Sequence, residues 1–310
     1  MDKRECLHII NGDSALTSLE NLNLDGKIFV WREMLCEGPT HKYVNSSAFK
    51  EARSKFLSDY YDIPPEEYED KFLNQFSIFE EQQFSEVYLW FEYDLFCHIN
   101  MLAAIQFLSE LEIDIPIYLI CSGRIKGESK LKGLAELTSE EFKTAYENRV
   151  LLNEDDIELA QYIWTIYNEK NPKRIAPHIS KSSNFEYLSN CLRAHLERFP
   201  NSETGLNALE GNLLHLIENN EITSINQWLG YSLQYQGYYG YGDMQMQKIL
   251  DKLTFFTTLE NNRLTLNEKG KAVIDQSENF YREMKDDMLY GAAYKYDFLY
   301  DKESHTLLKL

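Results

Sequence analysis

Four short runs of β-forming apolar residues constrain this chain more than any other feature: Leu7–Ile10, Lys27–Trp31, Glu86–Phe91 and Ile115–Cys121. Each is nearly continuous rather than alternating, the pattern of a strand buried on both faces. Stretches with helical spacing separate them. Ser14–Leu22 follows the first run. Ser47–Tyr61 and an irregular acidic segment precede the third, and Leu95–Leu111 follows it, with apolar residues at Leu95, Ile99, Leu102, Ile105 and Leu108. Strand alternating with helix predicts a mostly parallel sheet with helices on both faces, and right-handed crossovers make it an open Rossmann-like α/β layer. That layer is expected over residues 1–135.

Beyond it the pattern turns helical. Thr138 or Ser139 begins a helix, with Glu141 at capping-box distance, and amphipathic helices follow to Pro200. Residues 136–200 therefore read as a helical segment. In 201–310, three helical stretches precede two short strands around Asn261-Asn262, an asparagine turn suited to a hairpin. Three helices followed by a hairpin is winged-helix order. The tail from Tyr294 reads as another hairpin, and the Gly-Tyr-rich run from Tyr231 to Asp243 reads as an aromatic loop facing a ligand or partner.

The formal net charge is -19, and no run of Lys or Arg offsets it. Such a surface repels nucleic acid and anionic membrane. The third helix of the C-terminal part has Gln245 and Gln247 to offer bases, but Lys248 and Lys252 are cancelled by Asp243 and Asp251. Duplex DNA is disfavoured as a partner on that ground. No stretch reaches the roughly 20 apolar residues that span a bilayer. A charged N-terminus leading straight into a strand points to a cytoplasmic protein. Five scattered cysteines, an odd number with no CxxC, argue against disulfides or structural zinc.

The segments "LHIINGDS", "VWREMLCEGP", "LWFEYDLFCHINML" and "YLICSG", in that order and spacing, resemble the bacterial family called domain of unknown function 1835. "RAHLERFPNSETGLNALEGNLLHLI" resembles the helical segment that follows in that family, so the likeness runs through most of the chain. It implies membership and no reaction. Tyr93 and His98 stand where that family often reads His and Gln, so no role is carried over at these two positions.

In an open parallel sheet, ligands bind beyond the carboxyl ends of the strands. The first strand ends in Asn11, Gly12, Asp13 and Ser14. Gly12 permits a sharp turn, and Asp13 or Ser14 is suited to cap the next helix. The loop is neither a Walker A nor a GxGxxG motif. Gly12-Asp13-Ser14 is similar to the nucleophile block of a serine esterase family, but no Asp-x-x-His near the C-terminus supports it. The second strand offers Trp31, Arg32, Glu33 and Glu37. The third offers Trp90, Glu92 and Asp94, with His98 a turn later as a candidate general base. The fourth offers Cys121, Ser122 and Arg124.

Asp13, Glu92 and Asp94 form a carboxylate set suited to Mg²⁺ or Mn²⁺, unless Arg32 and Arg124 neutralise them as internal ion pairs. Trp31 and Trp90 either stack on a ligand ring or pack in the core. Two functions stay open. One is a ligand-binding or hydrolytic site for a small, phosphate-bearing molecule, with Asp13, Ser14, Glu92, Asp94 and His98 as its chemistry-bearing groups. The other is a regulatory protein that contacts a protein partner through the winged-helix-like part.

Overall fold

The computed structural model describes residues 5–81, 83–111 and 115–310; the charged residues 1–4 lie outside them. The first strand, β1 (Glu5–Asn11), leads through α1 (Leu16–Asn21) to β2 (Lys27–Trp31), and a two-residue strand, β3 (Gly38–Pro39), follows. Next come α2 (Ser47–Tyr61), α3 (Pro65–Lys71), α4 (Ile78–Glu81), β4 (Phe84–Phe91), α5 (Leu95–Glu110) and β5 (Ile117–Cys121). The next segment holds α6 (Ser139–Glu147), β6 (Val150–Leu151), α7 (Glu154–Tyr167) and α8 (Leu188–Glu197).

The sheet runs β2-β1-β4-β5-β6. Its first four strands are mutually parallel, with Ile9 opposite both Phe29 and Leu89, and Leu89 opposite Leu119; β6 pairs antiparallel to β5. The four apolar runs are thus neighbouring parallel strands. Their continuity has a physical reason, because both faces are covered. Leu7, Ile9, Phe29, Trp31, Leu89 and Leu119 face the main core. Ile10, Val30, Tyr88, Trp90 and Ile120 face a smaller one, closed by Ala15, Leu19, Leu134 and Phe142. Helix α5 lies in the main core and is buried nearly all round, which is why its apolar residues exceed one stripe.

The fold departs from expectation in three places. The layer does not stop at residue 135, since α6 covers its second face and β6 supplies its fifth strand. The capping box of α6 uses Thr138 and Glu141 as expected, whereas α1 starts at Ala15 with no side-chain cap, so neither Asp13 nor Ser14 caps it. The C-terminal part is not set apart either, because the main core runs unbroken from Leu7 to Leu307.

That last part contains α9 (Ala208–Asn219), α10 (Ile225–Gln234), α11 (Asp243–Leu253), β7 (Thr257–Glu260), β8 (Arg263–Leu266), α12 (Glu268–Ile274) and α13 (Tyr281–Met284). It ends in β9 (Leu289–Gly291), β10 (Ala293–Tyr294), β11 (Phe298–Asp301) and β12 (Thr306–Lys309). Both expected hairpins form, β7–β8 and β11–β12. Asn261 and Asn262 take the two positive φ angles, 50° and 56°, that a tight hairpin turn demands. Strand β9 pairs with β3, so the last segment returns to the first. No helix among the described residues is long and apolar enough to cross a membrane.

Buried charge holds the chain after β2 in place. Arg53 sits on the apolar stripe of α2, between Phe49 and Leu57, and its side chain and that of Glu33 are both 0% exposed. Its guanidinium pairs with Glu33 at 2.8 Å and also donates to the carbonyls of Met34, Glu37 and Pro39. Tyr68 and the Met34 amide complete the donors to Glu33. Removing one partner of such a pair strands the other without water. Arg53→Ala is therefore expected to lower the unfolding free energy by about 3–5 kcal/mol. The double variant Arg53→Met, Glu33→Leu should cost less than Arg53→Ala. Urea titrations of the three proteins check this, and a double variant as unstable as the single one would contradict it.

Candidate functional site

The carboxyl rim of the sheet is built differently at its left, centre and right. On the left, Gly12 adopts φ +69° and its amide donates to the Trp31 carbonyl at 3.0 Å, so β1 turns off the sheet beside the end of β2. Asp13 then meets Arg32 in a two-pronged pair, Nε to Oδ2 at 2.8 Å and Nη2 to Oδ1 at 2.7 Å. Arg32 also donates to the Lys71 carbonyl at 2.8 Å. The Arg32 hydrogen bonds hold the Asp13 carboxyl below its usual range. With Asp13 60% and Arg32 29% exposed, the pair is worth at most about 1 kcal/mol.

Behind this pair opens a cavity of about 390 Å³. Gly12, Asp13, Trp31, Arg32 and Glu33 all line it, together with the rings of Tyr68, Phe72 and Phe96 and the thioethers of Met34 and Met244. Glu33 is present but not reactive, because Arg53, Tyr68 and the Met34 amide already occupy its oxygens. The Trp31 indole N–H is buried without a partner. Ser14 is exposed, does not line the cavity and makes no hydrogen bond among the described residues. The expected nucleophile therefore has no base.

At the centre, strand order reverses between β1 and β4, the place where sheets of this class usually open a ligand crevice. Here it is filled. Asn11 accepts from Asn100 at 2.8 Å and donates to Cys97 Sγ at 3.1 Å. Asp94 caps α5 by accepting from the Cys97 amide at 2.8 Å. The next two amides of that helix end, Leu95 and Phe96, donate to the carbonyls of Tyr238 and Tyr239. The aromatic loop between α10 and α11 is thus a strap over the crevice. Gly240, at φ +71°, lies so close that a Cβ there would collide with the Asp94 carboxyl.

Under the strap, Glu92, Asp94 and Cys97 bring ligand atoms within 4.8 Å of one another; Asp13 is not part of this group. Glu92 accepts from the Leu134 amide at 2.7 Å. Burial, with Glu92 alongside, pushes Asp94 up to about 7, and burial raises Glu92 and Cys97 too. Mg²⁺ and Mn²⁺ prefer all-oxygen sites that keep several waters. A largely buried set containing a thiol and lacking Asp13 does not fit the centre expected at Asp13, Glu92 and Asp94.

His98 is buried on α5. Its Nδ1–H donates to the Asp94 carbonyl at 2.9 Å, Nε2 has no partner, and burial holds the ring at about 4. It is a neutral core histidine with no route to a substrate proton. Trp90 is also core: it stacks on Phe142 and donates to His8. On the right, Ser122 and Arg124 line a separate cavity of about 460 Å³ at the end of β5. Gln245, expected to be free for bases, is buried and donates to Glu37. Glu37 also accepts from Tyr61, and burial raises its carboxyl.

The reading from sequence missed Arg53, Lys71, Phe96 and Met244. Arg53 carried a signal, since Phe49, Arg53, Leu57 and Tyr61 recur every four residues on one helical stripe, and a cation on such a stripe needs a buried partner. The others had none, because only the tertiary fold brings them to the rim.

The Asp94 carboxyl makes stability depend on pH. Between pH 4 and 7 it keeps its proton when folded and loses it when unfolded. The stabilisation is full below about pH 4 and is lost as the pH rises to 7. Asp94→Asn keeps the capping oxygen and removes the charge. It should be more stable than the parent at pH 8, on the order of 2 kcal/mol, with the advantage fading toward pH 4. Denaturant titrations at four pH values measure this; two parallel profiles would refute it.

No family model matches the chain, and no curated protein matches it.

Proposed function

We propose that the protein binds a small molecule in the cavity at the carboxyl ends of β1 and β2. One observation carries the reading: five residues from two strand ends, Gly12, Asp13, Trp31, Arg32 and Glu33, converge on one cavity of about 390 Å³, a size suited to a small ligand. Its apolar wall is aromatic, thioether and aliphatic, and its charged lining is Asp13 paired with Arg32, Glu67 paired with Lys71, and the buried Glu33. The ligand this chemistry favours has a ring-sized apolar body, and an anionic end such as a phosphate binds by taking Arg32 and Lys71 over from Asp13 and Glu67. The unpartnered Trp31 N–H would meet an acceptor on the ring. Binding fits the residues better than hydrolysis, since Ser14 and His98 lie apart from the cavity lining and Glu33 is fully engaged. The quoted segments support placing the chain with the domain of unknown function 1835 family.

The C-terminal three helices and hairpin form the second reading, a winged-helix-like module. Helix α11 turns Gln245 and Met246 inward, and its Lys248 lies over Tyr60 of α2. A helix committed to such packing is not available to a DNA groove. The module serves as a packing or protein-contact unit, with Leu259 exposed on its hairpin.

Two outcomes are expected. In a thermal-shift screen of aromatic phosphates and carboxylates, at least one compound raises the melting temperature of the parent, and Arg32→Ala, or Ile63→Trp at another residue lining the cavity, removes that rise. An empty screen, or shifts indifferent to both variants, would defeat the binding reading. Fluorescence anisotropy with random duplex DNA near physiological salt should show no sub-micromolar binding, as the acidic surface requires; tight binding would reverse that conclusion.

A further inference from the structure

We propose that the cavity at the end of β5 is a second site, independent of the first, for the phosphate monoester of a small hydroxylated molecule. Residues 124–132 carry Arg124, Lys126, Lys130 and Lys132 against a single acid, Glu128, in a chain whose net charge is -19. The local excess of cations was not apparent as a run, because other residues separate them. The fold gathers them in one loop at the carboxyl rim of a parallel strand, where ligands of such sheets bind.

The loop is built, not slack. The Arg124 amide donates to the Tyr187 hydroxyl at 2.8 Å, the Lys132 amide to the Gly123 carbonyl at 2.8 Å, and the Glu128 amide to the Ile125 carbonyl at 3.0 Å. Lys132 is spent on Glu128 and Glu141, and Lys130 lies over the Tyr235 ring. Arg124 and Lys126 line the cavity with no acidic partner among the described residues. A guanidinium and an ammonium left free at one mouth suit a phosphate, which takes a two-pronged contact from Arg and a point charge from Lys.

The rest of the lining selects the body of the ligand. Thr144, Asn148 and Glu140 offer donors and acceptors for hydroxyls, and the Ser122 hydroxyl is buried at the strand end with no partner. The apolar lining is chiefly aliphatic, from Ile120, Leu137 and Ala145, so it gives a flat base little to stack on. Glu140, Glu141 and Glu186 also line the cavity, Glu141 already paired with Lys132, and their charge disfavours a ligand carrying more than one anionic group. A compact sugar phosphate uses the Arg124 and Lys126 charges and the hydroxyl-binding groups together, and an RNA strand or a lipid surface does not.

Glucose 6-phosphate and inorganic phosphate serve as probes, titrated by calorimetry at constant ionic strength against the parent, Arg124→Ala/Lys126→Ala and Arg32→Ala. Both substituted loop side chains are exposed, so the fold should survive; circular dichroism checks it. The expected result is saturable binding of glucose 6-phosphate, tighter than that of inorganic phosphate. The loop double variant should weaken it about tenfold or more, as loss of two charge-assisted contacts requires. Arg32→Ala should leave it unchanged. Absence of saturable binding, equal affinity for both probes, or loss in Arg32→Ala with retention in the double variant would each overturn the proposal. Failure here leaves the β1–β2 cavity standing, because that reading is tested with aromatic compounds and other variants.

Discussion

The buried pair between Arg53 and Glu33 organises the rim of this protein. One guanidinium ties together the carboxylate just after β2, the carbonyls of Met34 and Glu37, and the last carbonyl of β3. Taking both charges out of water costs more than their attraction returns unless every oxygen and N–H finds a partner. Here Tyr68 and the Met34 amide supply the remaining bonds. The consequence is positional. The chain from Glu33 to Pro39 has few places to go, so Trp31 and Arg32 are presented at a fixed angle to Phe72 and Lys71. Leu35, Cys36 and Glu37 then become docking points for the rest of the molecule. Tyr167 donates to the Leu35 carbonyl, Arg198 to the Cys36 carbonyl, and Gln245 to Glu37.

A second constraint follows at the centre of the sheet. The reversal of strand order between β1 and β4 would ordinarily leave a crevice with a helix N-terminus pointing into it. Asn11 and Asn100 bridge that gap with side-chain hydrogen bonds, and the Tyr238–Gly240 strap takes the α5 amides that an anion would otherwise use. Asp94 takes the third amide itself. With the centre closed, open space at the rim lies to either side, beside β2 and beside β5. The cavities therefore divide residues that a strand-by-strand reading assigns to one site. Asp13 goes with Arg32, Ser122 goes with Arg124, and Glu92 and Asp94 stay beneath the strap.

How much of this was legible in the sequence depended on the range of the interaction. The four parallel strands, α2 over Ser47–Tyr61, the Thr138 cap and the asparagine hairpin all follow from periodicity or from the φ preferences of a few adjacent residues, and all are present. Gly12 and Asp13 were found because a turn after a buried strand announces itself. Glu92 and Asp94 were found as neighbours, but the burial of Asp94 was not, since the Gly240 that seals it lies far along the chain. Gln245 reads as a polar residue on an amphipathic helix and is nonetheless buried, because its partner Glu37 belongs to another element. His98 and Trp90 show the same limit. A polar atom at a strand end looks available until the fold says which side of the sheet it lies on.

The distribution of charge completes the picture. Three of the cations are not surface groups at all: Arg53, Arg198 and Lys295 are buried, and Lys295 pairs with Glu210. Lys55, Lys71 and Lys132 are each matched to a carboxylate. Buried acids, among them Glu33, Asp156 and Glu210, offset the buried cations, so the outer surface keeps the acidic excess of the composition and an approaching anion meets repulsion rather than steering. At physiological salt that repulsion is screened beyond about 8 Å. Capture of an anionic ligand then rests on contacts made at short range, inside the cavities. This is the reverse of nucleic-acid binders, which gather ligand from a distance with a broad positive field. It favours compact ligands over polymers at both ends of the rim: a small anion can enter between the acidic side chains, while an extended one must lie across them.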